Sequence, residues 1–205
     1  MRQSLVQTAH ITLILLLTSP LLILFLLSTK KNIVLDMKRW SKLLKLPGDS
    51  DVINLLVLLS RYKEFRNLFY HRVRTGNLLA RILMHFFKIF YKELPTLGIW
   101  TDSIGPGLFI QHGVCTIIAA DSIGENCSIN QQVTIGYIDD IHSPTIGDNV
   151  RITAGAKVLG GVNIGDNVTV GANAVVLKDV PNNCVVVGVP ARIVRKDGAR
   201  VNQPL

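Results

Sequence analysis

Residues 146–181 read IGDNVRITAGAKVLGGVNIGDNVTVGANAVVLKDVP, and one side-chain pattern recurs in them every six residues without a slip. A period of six fits neither an α-helix, which repeats at 3.6, nor a flat strand, which repeats at 2. Short fixed periods are typical of a solenoid, which buries a continuous core only when its coils stack. The first place of each six holds Ile146, Ile152, Val158, Ile164, Val170 and Val176, and the fifth holds Val150, Ala156, Val162, Val168, Ala174 and Val180.

Glycines recur beside this pattern at Gly147, Gly165 and Gly171. We expect them to turn the corners of the coil, because glycine adopts backbone conformations that other residues avoid. Each short flat strand then points one apolar residue inward, and three six-residue repeats make one triangular turn. The pattern therefore predicts a mainly β fold, in which each coil pairs its backbone with the coils above and below.

The repeat begins earlier, after Pro95, and two irregularities interrupt it. Between Ile110 and Ile117 one step is seven residues instead of six, which puts an extra residue directly after His112. Residues 137–145, YIDDIHSPT, then separate the early coils from the regular run. Insertions in a solenoid emerge as loops from one face, often the binding face. Residues 180–198 end the pattern, and we expect them to cap the open end.

Charge is unevenly placed along the 205 residues, which suffice for one medium domain and an appendage. Residues 1–95 carry 15 basic and 5 acidic side chains, whereas residues 96–205 carry 7 and 9. Nucleic-acid binding would place the positive charge on the folded module, so this distribution favours an anionic membrane surface as partner and no nucleic acid. A merely solvated basic surface is the alternative.

An uncharged apolar run, ITLILLLTSPLLILFLLS, spans residues 11–28. As a helix it would be about 27 Å long, close to the ~30 Å hydrocarbon core, and this predicts a membrane segment. Lysines and arginines follow the run, which places the body of the protein in the cytoplasm. Two alternatives are a cleaved signal peptide and a re-entrant segment that bends at Ser19 and Pro20.

Three parts follow from these patterns. Residues 1–31 are predicted as a membrane anchor, residues 32–95 as a basic helical region, and residues 96–205 as the solenoid domain. Within the helical region we expect one helix beginning near Ser50 or Asp51 and a second run from about Lys63 to Tyr91, broken near Gly76. Its basic amphipathic face would lie on a membrane surface, or pack on the solenoid or a neighbouring subunit.

Only two of the five histidines, His112 and His142, belong to the repeat region. A lone histidine in a solenoid is more often structural than catalytic. His112, however, stands at the register break and His142 in the extruded loop, and loops on a rigid scaffold are where reactive groups concentrate. A neutral imidazole is well matched to taking a proton from a hydroxyl. Two histidines are too few for an all-histidine zinc site, so no metal is expected.

Three segments carry a family resemblance: IGPGLFIQHG (104–113), HSPTIGDN (142–149) and VVGVPARIV (186–194). With the repeat, they resemble the serine acetyltransferase branch of the hexapeptide-repeat acyltransferases over roughly residues 98–195. The resemblance implies a left-handed parallel β-helix, usually a homotrimer, with acetyl-CoA bound between neighbouring subunits. The segment RYKEFRNLFYHR (61–72) looks like the corresponding stretch of relatives that acetylate surface polysaccharides.

The resemblance also implies roles for six residues. His112 matches the catalytic histidine, the general base that deprotonates the acceptor hydroxyl, and His142 is the candidate second side chain of the pocket. The alanines match small positions along the pantetheine arm, and the basic residues match positions near the CoA phosphates. Ordinary solvated charge is the alternative for the basic residues. The four cofactor positions are Ala154, Ala172, Lys178 and Arg192.

Three departures separate the chain from this pattern. Gln111 stands where serine acetyltransferases have an Asp associated with the amino-acid substrate. Leu97 stands where an Asp would orient the catalytic histidine. Ser143 lies between His142 and Pro144, although the second histidine of the family directly precedes a proline. The first two departures weaken L-serine as the acceptor.

The expected function is therefore that of a membrane-associated O-acetyltransferase at the bacterial inner membrane, with its catalytic domain in the cytoplasm. It would transfer acetyl from acetyl-CoA to a sugar hydroxyl of a cell-surface polysaccharide or its lipid-linked precursor. The first alternative is serine O-acetylation for cysteine synthesis. The second is a catalytically silent trimeric scaffold for a glycan assembly complex.

Overall fold

The computed structural model describes residues 12–46, 50–139 and 141–205. The chain divides into two compact units, Met1–Glu93 and Leu94–Leu205. The first unit is helical. Residues 12–18 are helical, and five further helices follow in the described part: α1 (Leu21–Leu27), α2 (Lys30–Leu44), α3 (Asp51–Arg61), α4 (Lys63–Arg74) and α5 (Leu78–Phe90).

The core of the helical unit combines an aromatic cluster with a buried ion pair. Trp40 is 1% exposed and meets Phe65 edge-on, with ring centroids 5.2 Å apart. Arg72 Nε donates to Asp36 Oδ2 at 2.9 Å, and both side chains are almost fully buried. Buried charges are tolerated only when they are paired and hydrogen-bonded, so this contact fixes how α2 and α4 pack.

The helical breaks follow local sequence. Helix α5 begins after Asn77, whose side chain accepts a hydrogen bond from Ala80 N at 2.8 Å. This N-cap satisfies one of the backbone N–H groups that a helix start leaves unpaired. The break that the sequence predicted near Gly76 therefore lies between α4 and α5.

The apolar run at the start of the chain forms short helices. From residue 12 it is helical only to residue 18, turns at Ser19 and Pro20, and continues as the seven-residue α1. Seven residues of helix rise about 10 Å, against a hydrocarbon core of ~30 Å. Within the described ranges, no helix is long and apolar enough to cross a membrane. The structure therefore gives no support to the predicted membrane segment over residues 11–28, and the membrane-associated location that rested on it loses that support. Residues 1–11 of the predicted anchor lie outside the described residues.

The second unit is a parallel β-solenoid. Its short strands follow one another in the order that a repeating coil requires. They are β1 (Leu97–Ile99), β2 (Ser103–Ile104), β3 (Phe109–Ile110), β4 (Thr116–Ile118), β5 (Ser122–Ile123), β6 (Ser128–Ile129), β7 (Thr134–Gly136), β8 (Thr145–Ile146), β9 (Arg151–Ile152), β10 (Lys157–Leu159), β11 (Asn163–Ile164), β12 (Thr169–Val170), β13 (Val175–Val176), β14 (Cys184–Val187), β15 (Arg192–Lys196) and β16 (Ala199–Pro204).

Three sheets form the walls of the coil. The first sheet stacks β1, β4, β7, β10 and β13, and the second stacks β2, β5, β8 and β11. The third stacks β3, β6, β9, β12 and β14, and then β15 and β16 extend it in antiparallel pairing. Ile146 pairs with Ile164, 18 residues later, so three sixes make one turn as the sequence predicted.

The two repeating places of the pattern line the interior. The twelve residues at these two places in residues 146–181 are each at most 6% exposed. Burying a large aliphatic side chain stabilises a fold by about 1.5–3 kcal/mol, so this column is the main stabilising feature of the unit. The prediction of a mainly β solenoid is confirmed.

The corners are built differently from the prediction. Asn126, Asn149, Asn167 and Asn183 adopt the left-handed conformation there, with φ between 56° and 58°. Asparagine tolerates this conformation as a single residue. The glycines of the repeat serve another purpose: a Cβ on Gly147 would collide with Asp166 Oδ1, and one on Gly165 with Asn182 Oδ1. These glycines are therefore needed for the close approach of successive coils.

Candidate functional site

His112 lies in the connection from β3 to β4, where the coil passes from the third sheet to the first. The backbone there is unusual, because His112 has φ 66°, Gly113 has φ 47° and Cys115 has φ 52°. Left-handed residues other than glycine are uncommon, and they cluster at functional sites. The imidazole of His112 is exposed at this corner.

The register around His112 differs by one residue from the prediction. Ile118 is fully buried, whereas Ile117 is 38% exposed, so Ile118 fills the inward place. The step from Ile110 is therefore eight residues, and the next step, to Ile123, is five. Two extra residues lengthen this corner, and a bulge of this kind projects His112 away from the coil.

Among the described residues, no carboxylate bonds the ring of His112. Its imidazole makes no hydrogen bond to the residues that the structure describes. Leu97, fifteen residues upstream, lies in β1, pairs with Thr116 and is 5% exposed. An aliphatic side chain cannot fix the tautomer of an imidazole, so the departure noted in the sequence is real in the structure.

His142 lies in the loop of residues 137–144 between β7 and β8; Asp140, within this loop, is outside the described residues. Asp139 Oδ1 accepts hydrogen bonds from Ile141 N at 3.0 Å and His142 N at 2.6 Å. Asp139 Oδ2 lies 2.7 Å from His142 Nδ1. The backbone N–H and the ring of His142, followed by the backbone N–H of Ile141, lower the pKa of Asp139 to about 2.

The two alanines share the corner of His112. Ala154 lies between β9 and β10, and Ala172 lies between β12 and β13, in the same passage from the third sheet to the first. Ala154 O accepts a hydrogen bond from Asn173 N at 2.9 Å, so successive coils stack directly at this corner. We call this column of connections, residues 111–115, 130–133, 153–156 and 171–174, the His112 edge.

One polar residue on the His112 edge was missed by the sequence reasoning. Gln131 lies one coil from Ala154, because Gly155 N donates to Gln131 O at 3.0 Å. Its Oε1 atom is buried and has no hydrogen-bond partner among the described residues. Burying an acceptor without a hydrogen-bond partner costs folding free energy, so this position is a candidate for contact with a bound molecule. Its residue type gave no signal in the sequence.

Lys178 and Arg192 lie together beside a cavity of about 570 Å³ near the end of the solenoid. Val189, Pro190 and Leu205 also line this cavity. Lys178 Nζ donates to Leu205 O at 2.8 Å, so its ammonium group already has one acceptor. Arg192 is exposed at the start of β15. The structure brings these two basic residues together beside one cavity.

His112 and His142 are separated within one chain. His142 lies where the coil passes from the first sheet to the second, as do residues 160–162 and 177–179, and we call this column the His142 edge. The first sheet, at most three residues wide, lies between the two edges, and three strand residues span about 10 Å. The two histidines therefore occupy opposite edges of one sheet. In the described ranges, no three His, Cys, Asp or Glu side chains are grouped so that they could hold a metal.

Comparison with known proteins points to one group of enzymes. Residues 143–178 match the family described as bacterial transferase hexapeptide (six repeats). A serine acetyltransferase of Synechococcus elongatus is 38% identical over 160 residues, which are 73% of this chain and 64% of that protein. The chain spans between about half and two thirds of the length of the curated relatives it matches.

Solved structures agree with this similarity. The serine acetyltransferase of Neisseria gonorrhoeae in complex with serine superposes with a TM-score of 0.63 at 30% identity, covering 80% of this chain and 68% of that one. A serine acetyltransferase in complex with CoA superposes with a TM-score of 0.58 at 26% identity, covering 80% of this chain and 69% of that one.

These similarities correct the functional prediction. The relatives and the structural neighbours are serine acetyltransferases, and the similarity extends well beyond the solenoid into the helical unit. The expected acetylation of a polysaccharide is therefore wrong, together with its glycan acceptor and membrane partner. That expectation rested on the stretch 61–72 and on an apolar run that forms short helices. The repeat and these similarities together show that the chain belongs to the hexapeptide-repeat acyltransferases, and the relatives it matches there are serine acetyltransferases.

Proposed function

We propose that this protein is a serine O-acetyltransferase, which transfers the acetyl group of acetyl-CoA to the hydroxyl of L-serine. The observation that carries the proposal is the similarity to serine acetyltransferases over about four fifths of the chain, including one in complex with serine and one in complex with CoA. The position of His112 supports it, because a projecting imidazole at a widened corner is suited to proton transfer.

In the proposed reaction His112 acts as the general base. Its neutral imidazole takes the proton from the serine hydroxyl while that oxygen attacks the thioester carbonyl of acetyl-CoA. The tetrahedral intermediate then expels the CoA thiolate, which takes up the proton that His112 received. The products are O-acetyl-L-serine and CoA. General-base assistance of this kind supplies on the order of 10² to 10⁴ in rate.

We place acetyl-CoA along the His112 edge. Ala154 and Ala172 are small residues there, so an extended pantetheine arm can approach the backbone of the coil. Lys178, which belongs to the His142 edge, and Arg192 line the cavity that we propose for the CoA phosphates, so these two cations reach acetyl-CoA where the edges of neighbouring subunits meet. A phosphate group there would compete with Leu205 O for the ammonium group of Lys178.

A trimer explains why the two histidines lie on opposite edges. In a threefold arrangement, the His112 edge of one subunit meets the His142 edge of the next, and a single groove then contains both side chains. We therefore propose a homotrimer of left-handed coils, with residues 96–205 as the acetyltransferase domain. Each groove of such a trimer takes one acetyl-CoA and one L-serine.

Two residues of the proposed site, Gln111 and Leu97, differ from the aspartates expected at these positions in serine acetyltransferases. Gln111 offers the L-serine ammonium a neutral amide dipole in place of a carboxylate. Leu97 offers His112 no acceptor at all. Both substitutions leave the base and the small cofactor positions in place, so they concern the strength of binding and the orientation of His112, not the type of reaction.

A thiol-release assay with acetyl-CoA tests this function. We expect wild-type protein to release CoA when L-serine is added, and His112→Ala to lose at least about a hundredfold in kcat because no base remains. His85→Ala is the matched control, because His85 is an exposed histidine on α5 whose ring bonds Arg81 O. Absence of serine-dependent release from wild type would favour a catalytically silent scaffold.

A further inference from the structure

In the described part of the loop between β7 and β8, the carboxylate of Asp139 is the main hydrogen-bond acceptor. Asp139 accepts three hydrogen bonds from the residues that follow it, two from backbone N–H groups and one from the His142 ring. The loop is otherwise at the surface, with Ile138 64% exposed and Ile141 78% exposed. Its conformation near His142 therefore depends on Asp139 more than on apolar burial.

The carboxylate also determines which ring nitrogen carries hydrogen. Because its pKa is lowered to about 2, Asp139 is ionised at neutral pH and can only accept. Nδ1 of His142, which lies 2.7 Å from Oδ2, must therefore donate. Nε2 is then the ring nitrogen left for an external partner. This is how a carboxylate fixes the tautomer and orientation of a catalytic histidine.

Packing beneath the loop restricts the side chain further. A Cβ on Gly161 would lie 3.0 Å from His142 Cβ, and one on Gly160 would lie 3.2 Å from Ile138 Cδ1. These two glycines of the connection between β10 and β11 thus let the loop rest closely on the coil. His142 thus packs against Gly161 and is bonded at its ring by Asp139, while its side chain is 63% exposed to an external partner.

We propose that Asp139 is a positioning residue of the acetyl transfer, holding His142 with Nδ1–H bonded to its carboxylate and Nε2 presented to the reactants. The proposal rests on the proposed function. His112 has no carboxylate partner in the described structure, so the oriented imidazole of the site belongs to the loop. Asp139 then acts through His142 and does not itself touch substrate.

Asp139→Asn tests this role with little change in shape. The amide oxygen can still accept from the two backbone N–H groups, but the NH₂ group now faces Nδ1 and requires it to accept. The tautomer of His142 is thereby reversed. We expect kcat with L-serine to fall about tenfold to a hundredfold, by analogy with the loss when a group that orients a metal-binding histidine is removed, with the KM for acetyl-CoA unchanged. Ser143→Ala, in the same loop, should leave kcat unchanged.

Two further measurements separate positioning from a general effect on the loop. In a His142→Ala background, Asp139→Asn should produce no additional loss; an equal loss in both backgrounds overturns the proposal, as does unchanged kcat in the single variant. Nitrogen-15 NMR of the His142 ring should show hydrogen on Nδ1 in wild type and on Nε2 in Asp139→Asn. The NMR result does not need activity, so a wild type inactive on L-serine would refute the proposed function while the spectrum still decides whether Asp139 fixes the tautomer of His142.

Discussion

At the scale of single residues, the sequence singled out His112 as a candidate but did not predict its surroundings. A register break beside a histidine is visible in the periodicity, so the position could be singled out. The hydrogen-bond partner of an imidazole is not encoded in that periodicity. Gln131, whose Oε1 has no hydrogen-bond partner in the described part of the chain, was missed because its residue type gave no signal in the repeat. Asp139 was missed because its contact with His142 depends on the fold of an irregular loop.

The acidity of Asp139 gives a prediction at this scale. Its pKa is about 2 in the folded protein against 3.8 ordinarily, because the loop N–H groups and the His142 ring bond the ionised form. A depressed folded pKa contributes stability above the unfolded pKa and loses it as pH falls through the folded value. We therefore expect the loop to keep its hydrogen bonds down to about pH 4 and to lose them toward pH 2.

Carboxyl carbon-13 NMR measures this directly, with the Asp139 signal assigned by its disappearance in Asp139→Asn. The signal should be constant from pH 7 to about pH 4. A titration midpoint near 3.8 would show that the carboxylate does not hold the loop in solution.

At the scale of elements, the six-residue period predicted the coils well and their corners poorly. The residues that point into the coil are buried, and their apolar side chains recur at fixed spacing, so the sequence shows them. Each corner depends on one residue in the left-handed conformation. Asparagine and glycine can both adopt it, so the sequence did not show that asparagines occupy these corners. The error at Ile117 has a similar origin: two adjacent isoleucines fit the pattern equally well, and only the bulge at His112 decides that Ile118 points inward.

The revised role of the glycines predicts a difference between two substitutions. Gly147→Ala places a Cβ against Asp166 Oδ1, which cannot retreat easily because it accepts from Asp148 N at 2.7 Å. We expect it to lower the free energy of unfolding by about 1–3 kcal/mol, the usual cost of overpacking.

Gly136→Ala is the control, because a Cβ there meets nothing within 4 Å. It should be neutral or slightly stabilising in urea unfolding. Equal destabilisation by the two substitutions would mean that contact between coils is not what requires Gly147.

At the scale of the whole molecule, the apolar run at residues 11–28 was the misleading feature. Its composition is that of a membrane segment, but the turn at Ser19 and Pro20 divides the described part into short helices. Hydropathy reports only how apolar a stretch is, whereas its fold depends on what it packs against. The proposed trimer likewise is not encoded in any one stretch; it follows from two histidines on opposite edges of one sheet.

A shared site makes a prediction about mixed trimers. His112→Ala and His142→Ala subunits, co-expressed with different tags and purified through both, should form trimers with about one intact groove in three. Activity should therefore rise to about a third of wild type, although each variant alone is nearly inactive. Mixed trimers as inactive as the parents would place the two histidines in separate sites.

The most direct test of the central claim follows the acetyl group itself. Acetyl-CoA labelled with carbon-13 at the carbonyl is incubated with L-serine and either wild-type protein or His112→Ala, and the labelled product is identified by NMR. The account predicts a serine ester carbonyl with wild type and almost none with His112→Ala. Label found only in acetyl-CoA and free acetate, or equal ester formation by the two proteins, would contradict it.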